Sequence, residues 1–282
     1  MPGPAPQPIS PADADAAHAA AQKVVETHRR VADFLRHGHT LAEIDAFVGK
    51  TLESIDCQSC FRGYRVGRKP PFPGHACLSV NDCVVHGTPD SHPRPLAHAD
   101  VLKVDIGVYF RGWVGDAAWT YVFGPMDPVT KKLTDTGKES LARGVKELRP
   151  GNTYLAWARA VQSFVEDERK FHLVRGLGGH GYSRRTKHDA GLHAPPFVSN
   201  VVPTYPGEWS DAQTPCLPGT LVAVEPMIAV GTPDLAPARG KWPERTADGS
   251  LSVHYEHDIL ITDKGPRVLT EGLDQVNDVI TR

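Results

Sequence analysis

Four acids and one histidine stand in apolar surroundings where a folded chain seldom keeps charge. Asp105 lies in VLKVDIGVYF (101–110). Strand alternation puts Leu102, Val104, Ile106, Val108 and Phe110 on one face, and Lys103, Asp105, Gly107 and Tyr109 on the other. A turn at Arg111-Gly112 folds the chain back, so Asp116 is expected roughly opposite Asp105. Two carboxylates on one face of a hairpin repel unless a cation or proton lies between them. Two solvated strand acids are the plainer alternative, although Asp is depleted in strands. Glu225 interrupts LVAVEPMIAV, and glutamate is rarely fully buried unpaired. Glu256 sits in YEHD, inside a strand ending ILIT. His180 is flanked by glycines in GGHG (178–181), which allow close backbone approach and leave the imidazole unobstructed. A histidine with no partner is more often structural. Together the five are too many charges to bury unpaired. Divalent cations would neutralise them. Oxygen-rich ligation with one imidazole and no thiolate is unlike a structural zinc site. Four carboxylates can hold two ions, some of them bridging, and activate a water between them, which is hydrolytic chemistry.

The elements that must position these groups follow from pattern. Residues 1–9 are Pro-rich and read as a flexible tail; 10–282 read as one catalytic domain. Ser10-Pro11 is a helix start, and apolar spacing carries that helix to about His37, with a stop at Gly38. Thr40-Leu41-Ala42-Glu43 is a capping box opening a second helix. Over 77–122 the period changes to that of strands: CLSV, CVV, VLKVDIGVYF and WTYVF. Helices resume at about 129–148 and 154–170, and strands return in TLVAV, SVHYEHDILIT and RVLT. A weak repeat, Leu35-Arg36-His37-Gly38-His39-Thr40 against Leu148-Arg149-Pro150-Gly151-Asn152-Thr153, joins helix to helix in each half. Two αα-then-β halves predict a single α+β domain with pseudo-twofold symmetry and a site between the halves.

The order Asp105, Asp116, His180, Glu225, Glu256 resembles the methionine aminopeptidases of the pita-bread metallopeptidase family. The contexts match as well: CLSVNDCVVHGTP (77–89), VDIGVYFRGWVGDAAWT (104–120), GGHG, VEPM (224–227) and YEHDILIT (255–262). The resemblance extends over nearly the whole chain from about residue 12. It implies a curved, mostly antiparallel sheet covered by helices, with symmetric halves. It implies two divalent metal ions bridged by Asp116 and Glu256, with Asp105 on one ion and His180 and Glu225 on the other. The ions would be Co, Mn, Fe or Zn, with Glu225 also a proton shuttle. His86 in VVHG would contact the substrate and assist proton transfer. The substrate implied is the N-terminal methionine of a nascent protein with a small second residue.

One departure affects the site. The family carries a second histidine seven residues after that of GHG, and position 187 here is Lys. Residues 181–193 look like an insertion with two candidates. His193 has the better downstream match, in LHAPPFV, and is favoured; His188 has the better spacing. The resemblance assigns Tyr64, Phe72, Cys77 and Trp242 to the methionine pocket, with Leu192 nearby; residues 65–71 look like a small insertion, and core packing is the commoner role for any one aromatic. Cys57-Gln58-Ser59-Cys60 without a second pair is a weak metal or redox motif, and both cysteines are read as bystanders.

Composition bounds the rest. Lys+Arg 31 against Asp+Glu 33 gives net −2, which excludes a strongly basic nucleic-acid protein. No run approaches the ~18 apolar residues of a membrane helix, and no export signal opens the chain. The five cysteines therefore read as reduced thiols in a cytoplasmic monomer. The basic stretch Arg184-Arg185-Thr186-Lys187 reads as a solvated loop, ahead of a ribosome contact. Two alternatives stay open: an aminopeptidase P or prolidase of the same fold, disfavoured by fewer than 90 residues before His86, and a non-catalytic binding protein that keeps the cleft.

Overall fold

The structure is a computed structural model and describes residues 9–187 and 189–282. In the first half, helix α1 (Pro11–Phe34) opens where the Ser10 side chain accepts from Asp13 N and proline takes the first position. Ala17, Ala20, Ala21, Val24, Val25, His28 and Val31 form its buried stripe. It stops at Phe34, short of the expected His37, because Leu35 turns extended (ψ 133) and enters the core. Helix α2 (Leu41–Ser54) starts on the Thr40–Glu43 capping box, with both reciprocal bonds made. Strands β1 (Gln58–Ser59), β2 (Cys77–Val80), β3 (Cys83–Val85), β4 (Val101–Phe110) and β5 (Trp113–Phe123) follow.

The β4–β5 hairpin turns on Arg111 (φ 50) and Gly112 (φ 84), the left-handed pair of a two-residue turn that matches strand twist. That turn pairs Phe110 with Trp113, which sets every later partner: Gly107 faces Asp116, and Asp105 faces Ala118. The two acids share a face but sit diagonally rather than directly opposite. Helix α1 crosses β5 at Gly115, where a Cβ would lie 2.7 Å from the Ala20 backbone. Only glycine permits that contact.

Helices α3 (Pro128–Val145) and α4 (Tyr154–Gln162) open the second half. The helix expected to run to residue 170 widens instead into a π-helical segment, Ser163–Glu168, that buries Phe164 and Val165. The repeat forms corresponding turns: it joins α1 to α2 and α3 to α4, and Gly38 (φ 88) and Gly151 (φ 93) share a left-handed conformation. Strands β6 (His172–Leu173), β7 (Gly178–Gly181), β8 (Ala194–Ser199), β9 (Leu221–Val224), β10 (Met227–Ala229), β11 (Glu244–Arg245), β12 (Ser252–His254), β13 (His257–Thr262), β14 (Gly265–Val268) and β15 (Val279–Ile280) complete the chain.

Two five-stranded sheets run β1-β4-β5-β15, with β2 also on β4, and β14-β13-β9-β7-β8; a three-stranded sheet runs β12-β10-β6, and β11 pairs with β3. Among the described strands only the β15–β5 pairing is parallel. The second half of the chain meets the first along β5, through β12 and the residues just after it. Glu256 N donates to Ala118 O at 2.9 Å. The Thr120 hydroxyl donates to His254 O at 2.7 Å and accepts from His254 N at 3.1 Å. This junction breaks the strand expected over 252–262 into β12 and β13, because Glu256 bonds across to the other half. Among the described residues no helix is long and apolar enough to cross a membrane.

Candidate metal centre and substrate cleft

Each predicted ligand is delivered to the junction between the halves. Asp105 comes from β4, Asp116 from β5 and His180 from β7; Glu225 directly follows β9, and Glu256 lies between β12 and β13. Strand β7 must pass tightly between its neighbours. A Cβ on Gly179 would sit 2.2 Å from Ala223 O, and one on Gly181 2.2 Å from Pro195 O, so the flanking glycines answer to close approach. Two groups of ligand atoms converge, Asp116–His180–Glu256 and Glu225–His254–Glu256, with the atoms in each within 4.8 Å of one another. Glu256 belongs to both. Asp105 belongs to neither, yet its Oδ1 and that of Asp116 are both buried without a partner.

His180 shows what the cluster is built to hold. Its Nδ1 lies 3.1 Å from Gly181 O, so Nδ1 carries the proton and Nε2 presents a lone pair. Nε2 stands 3.9 Å from Asp116 Oδ2 and 3.9 Å from Glu225 Oε1, too far for a hydrogen bond. A lone pair facing two carboxylate oxygens across such gaps is the arrangement a cation satisfies, with the second ring nitrogen held by a carbonyl as metal-binding histidines hold theirs. The electrostatics agree. Burial first, and then each other's charge, pushes the carboxyls of Asp105, Asp116, Glu225 and Glu256 well above their ordinary values. Burial lowers the His180 pKa to about 3. A divalent ion removes the mutual repulsion that drives these acids toward protonation, and the donor set fits one.

Two groups at this centre escaped the sequence reading. His254 Nε2 is 3.1 Å from Glu225 Oε2. Asp258, fully buried, accepts the Asp116 N–H on Oδ2 at 2.8 Å. The available signal was the spacing 254, 256, 258 in HYEHD, which puts all three on one line wherever the chain stays extended.

Two cavities end on the cluster, and both are lined by His86, Asp105, His180, His193 and Glu225. One, of about 400 Å³, is walled by Tyr64, Phe72, Cys77, Leu192 and Trp242, the expected pocket residues, together with Phe61, Val66 and Lys69. The other, of about 530 Å³, runs past Gly176, Leu177, Phe197 and Asp211. Loop 61–72 closes the first cavity through specific bonds. Trp242 Nε1 donates to Pro70 O at 2.8 Å. Lys69 Nζ lies 2.9 Å from Glu244 Oε1 and 5.1 Å from the Trp242 ring centroid.

His193 stands in the cleft with its ring 4.3 Å from that of His180, and its Nδ1 is 2.7 Å from the Tyr64 hydroxyl; His188 lies outside the described residues. Burial holds the His193 pKa below its usual value and the Tyr64 pKa above. The hydroxyl is therefore the donor, and His193 keeps its proton on Nε2. His86 adopts φ 57 and packs edge-on against Trp242 at 6.1 Å; burial lowers its pKa to about 4. Arg184, Arg185 and Lys187 are exposed; Arg185 lies over the Tyr109 ring at 4.6 Å. All five cysteines are free and buried, and burial pushes the Cys57 thiol up to about 11, far from the thiolate that metal binding needs.

The sequence profile of metallopeptidase family M24 matches residues 15–263. The methionine aminopeptidase of Aquifex aeolicus is 33% identical over 258 residues, 89% of this chain and 93% of that protein. The crystal structure of methionine aminopeptidase from Rickettsia prowazekii superposes with a TM-score of 0.83 at 26% identity, covering 94% of this chain and 99% of that one. The Xaa-Pro dipeptidase of Bacillus anthracis shares the fold at a TM-score of 0.71 and 17% identity, but this chain covers only 64% of it. The acids at the junction, the lone pair of His180 and these likenesses converge: the chain is a metal-dependent hydrolase and belongs to metallopeptidase family M24, among its methionine aminopeptidases.

Proposed function

We propose that this enzyme removes the N-terminal methionine from nascent proteins whose second residue is small, acting in the cytoplasm as a monomer with a single catalytic domain over residues 10–282. The observation that carries the reading is the pair of cavities sharing one floor. The more enclosed, apolar cavity takes the first side chain, the other takes the following residues, and the bond between them lies over the carboxylates. In this reading Asp105, Asp116, His180, Glu225 and Glu256 would hold two divalent ions, Asp116 and Glu256 serving both, Asp105 one, and His180 and Glu225 the other. When bound, such ions polarise a carbonyl and lower the pKa of water.

The chain's own groups do the rest. His193, fixed as the Nε2–H tautomer by Tyr64, donates to the carbonyl oxygen as charge develops there. His86, neutral at pH 7 because burial lowers its pKa to about 4, meets the substrate amide from the Trp242 side. Glu225 holds and passes the proton that the leaving amine needs. Phe72, Cys77 and Trp242 surround an unbranched thioether with apolar surface. The test is release of Met from Met-Ala-Ser and Met-Gly-Met-Met, with no release from Met-Leu or Met-Lys starts. Norleucine is expected to be tolerated, since one methylene's difference is worth only about 1–3 kcal/mol. Faster cleavage of Ala-Pro than of Met-Ala peptides would sink the methionine reading and favour an aminopeptidase P. Bound metal with no cleavage of either would favour a binding protein.

A further inference from the structure

Glu225 is held differently at its two oxygens. Oε1 faces His180 Nε2 at 3.9 Å, a gap that no proton spans. Oε2 faces His254 Nε2 at 3.1 Å, the length of a hydrogen bond. With a carboxylate as acceptor, that bond places the His254 proton on Nε2. His254 is well placed to aim it. It is 1% exposed, and its main chain is clamped on both sides by the Thr120 hydroxyl. Its neighbour across the ladder is Met227, two residues beyond Glu225. The Glu225 main chain is fixed separately, its carbonyl accepting from Asn200 Nδ2 at 2.9 Å.

We propose that His254 is a positioning residue of the metal centre: it holds Oε2 of Glu225 so that Oε1 alone is presented to the ion beside His180. The inference rests on the metallopeptidase reading above. A carboxylate free to rotate would alternate its oxygens toward the ion and lose the one orientation in which it can pass a proton. Fixing one oxygen removes that freedom, as outer partners of metal ligands generally do. The contrast with His180 separates the two imidazoles by task, since one offers a lone pair to a gap and the other offers a proton to an oxygen.

The test uses the intact enzyme, titrated with Mn²⁺ and Co²⁺ by calorimetry, beside His254→Leu and His254→Gln, with folding checked by thermal melting. His254→Leu is expected to weaken ion binding by roughly 10–100-fold and to lower kcat more than it raises KM. His254→Gln, whose amide N–H reaches the same oxygen, is expected to restore most of both. In the Co²⁺-loaded protein, proton NMR should show one strongly shifted exchangeable imidazole N–H, from His180, in all three forms. A second such signal that vanishes in both variants would make His254 a ligand and overturn the proposal. Unchanged ion affinity and kcat in His254→Leu would overturn it too. A wild type that binds neither ion removes this inference and the metallopeptidase reading together; a wild type that binds both, with variants indistinguishable from it, removes this inference alone.

Discussion

The floor of the cleft and its apolar wall are built on opposite principles. The acids of the floor project from strands or from residues directly abutting them, and Asp116, Glu225 and Glu256 are each held by a main-chain bond. The wall comes mainly from loop 61–72, which belongs to no strand or helix, with Leu192 and Trp242 from other loops and Cys77 alone from a strand. A few long-range bonds secure it: Tyr64 to His193, Trp242 to Pro70, Lys69 to Glu244. The floor needs ligand geometry fixed to fractions of an ångström. The wall needs only shape and apolarity. On the proposed reading, chemistry is anchored in the ladders, and selectivity rests mainly on loop residues, where sequence can change without unmaking a sheet.

The largest expected effect lies in the floor. Glu256→Ala removes a carboxylate that the proposed reading shares between the ions and that lies in both clusters of candidate ligand atoms, so bound metal should fall sharply by elemental analysis, with activity down by at least ~10²–10³-fold. Two ions and full activity in that variant would show that the floor is not the metal site. His193→Ala comes next, at ~10²-fold in kcat with ion content unchanged, which separates a group that meets the substrate from one that holds metal.

Beneath the floor, His28 lies fully buried behind β5, with ring nitrogens 3.0 Å from the Tyr121 hydroxyl and 3.1 Å from Ala117 O. Burial lowers its pKa from 6.5 to about 4. Between those values the unfolded chain takes a proton that the folded chain refuses. This stabilisation is therefore complete above pH 6.5 and is lost as pH falls toward 4. The loss amounts to about 3 kcal/mol. Urea melts at pH 7 and pH 4.5 should show a smaller drop for His28→Gln than for the wild type; an equal drop would acquit His28.

Changes in the wall should be gentler. Tyr64→Phe deletes one hydrogen bond, worth about 1 kcal/mol, and should lower kcat several-fold while flattening no metal isotherm. Lys69→Met breaks a partly exposed ion pair, worth about 0–1 kcal/mol. It should leave Met-Ala-Ser cleavage within about threefold of wild type while improving turnover of bulkier apolar first residues. A 100-fold fall in Met-Ala-Ser cleavage would mean that the wall is as exacting as the floor.

The same division decided what the sequence could disclose. The Ser10-Pro11 start, the Thr40–Glu43 box and the Arg111-Gly112 turn were readable because each depends on local chemistry alone. The acids were readable because charge among apolar strand residues demands an explanation. Their diagonal pairing follows only once the turn is known to consume two residues, Arg111 and Gly112, so that Phe110 pairs with Trp113. The break at Tyr255-Glu256 was hidden because its cause, Ala118, lies in the other half. His254 passed unnoticed beside acids that drew the eye. Phe61, Val66 and Lys69 line the pocket from a loop with no period to read.

The seam along β5 divides the chain's inheritance. Asp105 and Asp116 precede the connection at residues 124–127, whereas His180, Glu225 and Glu256 follow it. Were the polypeptide severed there, neither fragment would own a complete coordination sphere, and β15 would still carry the register for docking onto β5. Divalent ions would then act as an adhesive, favouring the reassembled pair by RT ln(1 + [ion]/Kd) at each position. In the unbroken protein the same linkage would make the two halves' stability a single quantity, set in part by the concentration of free metal around it.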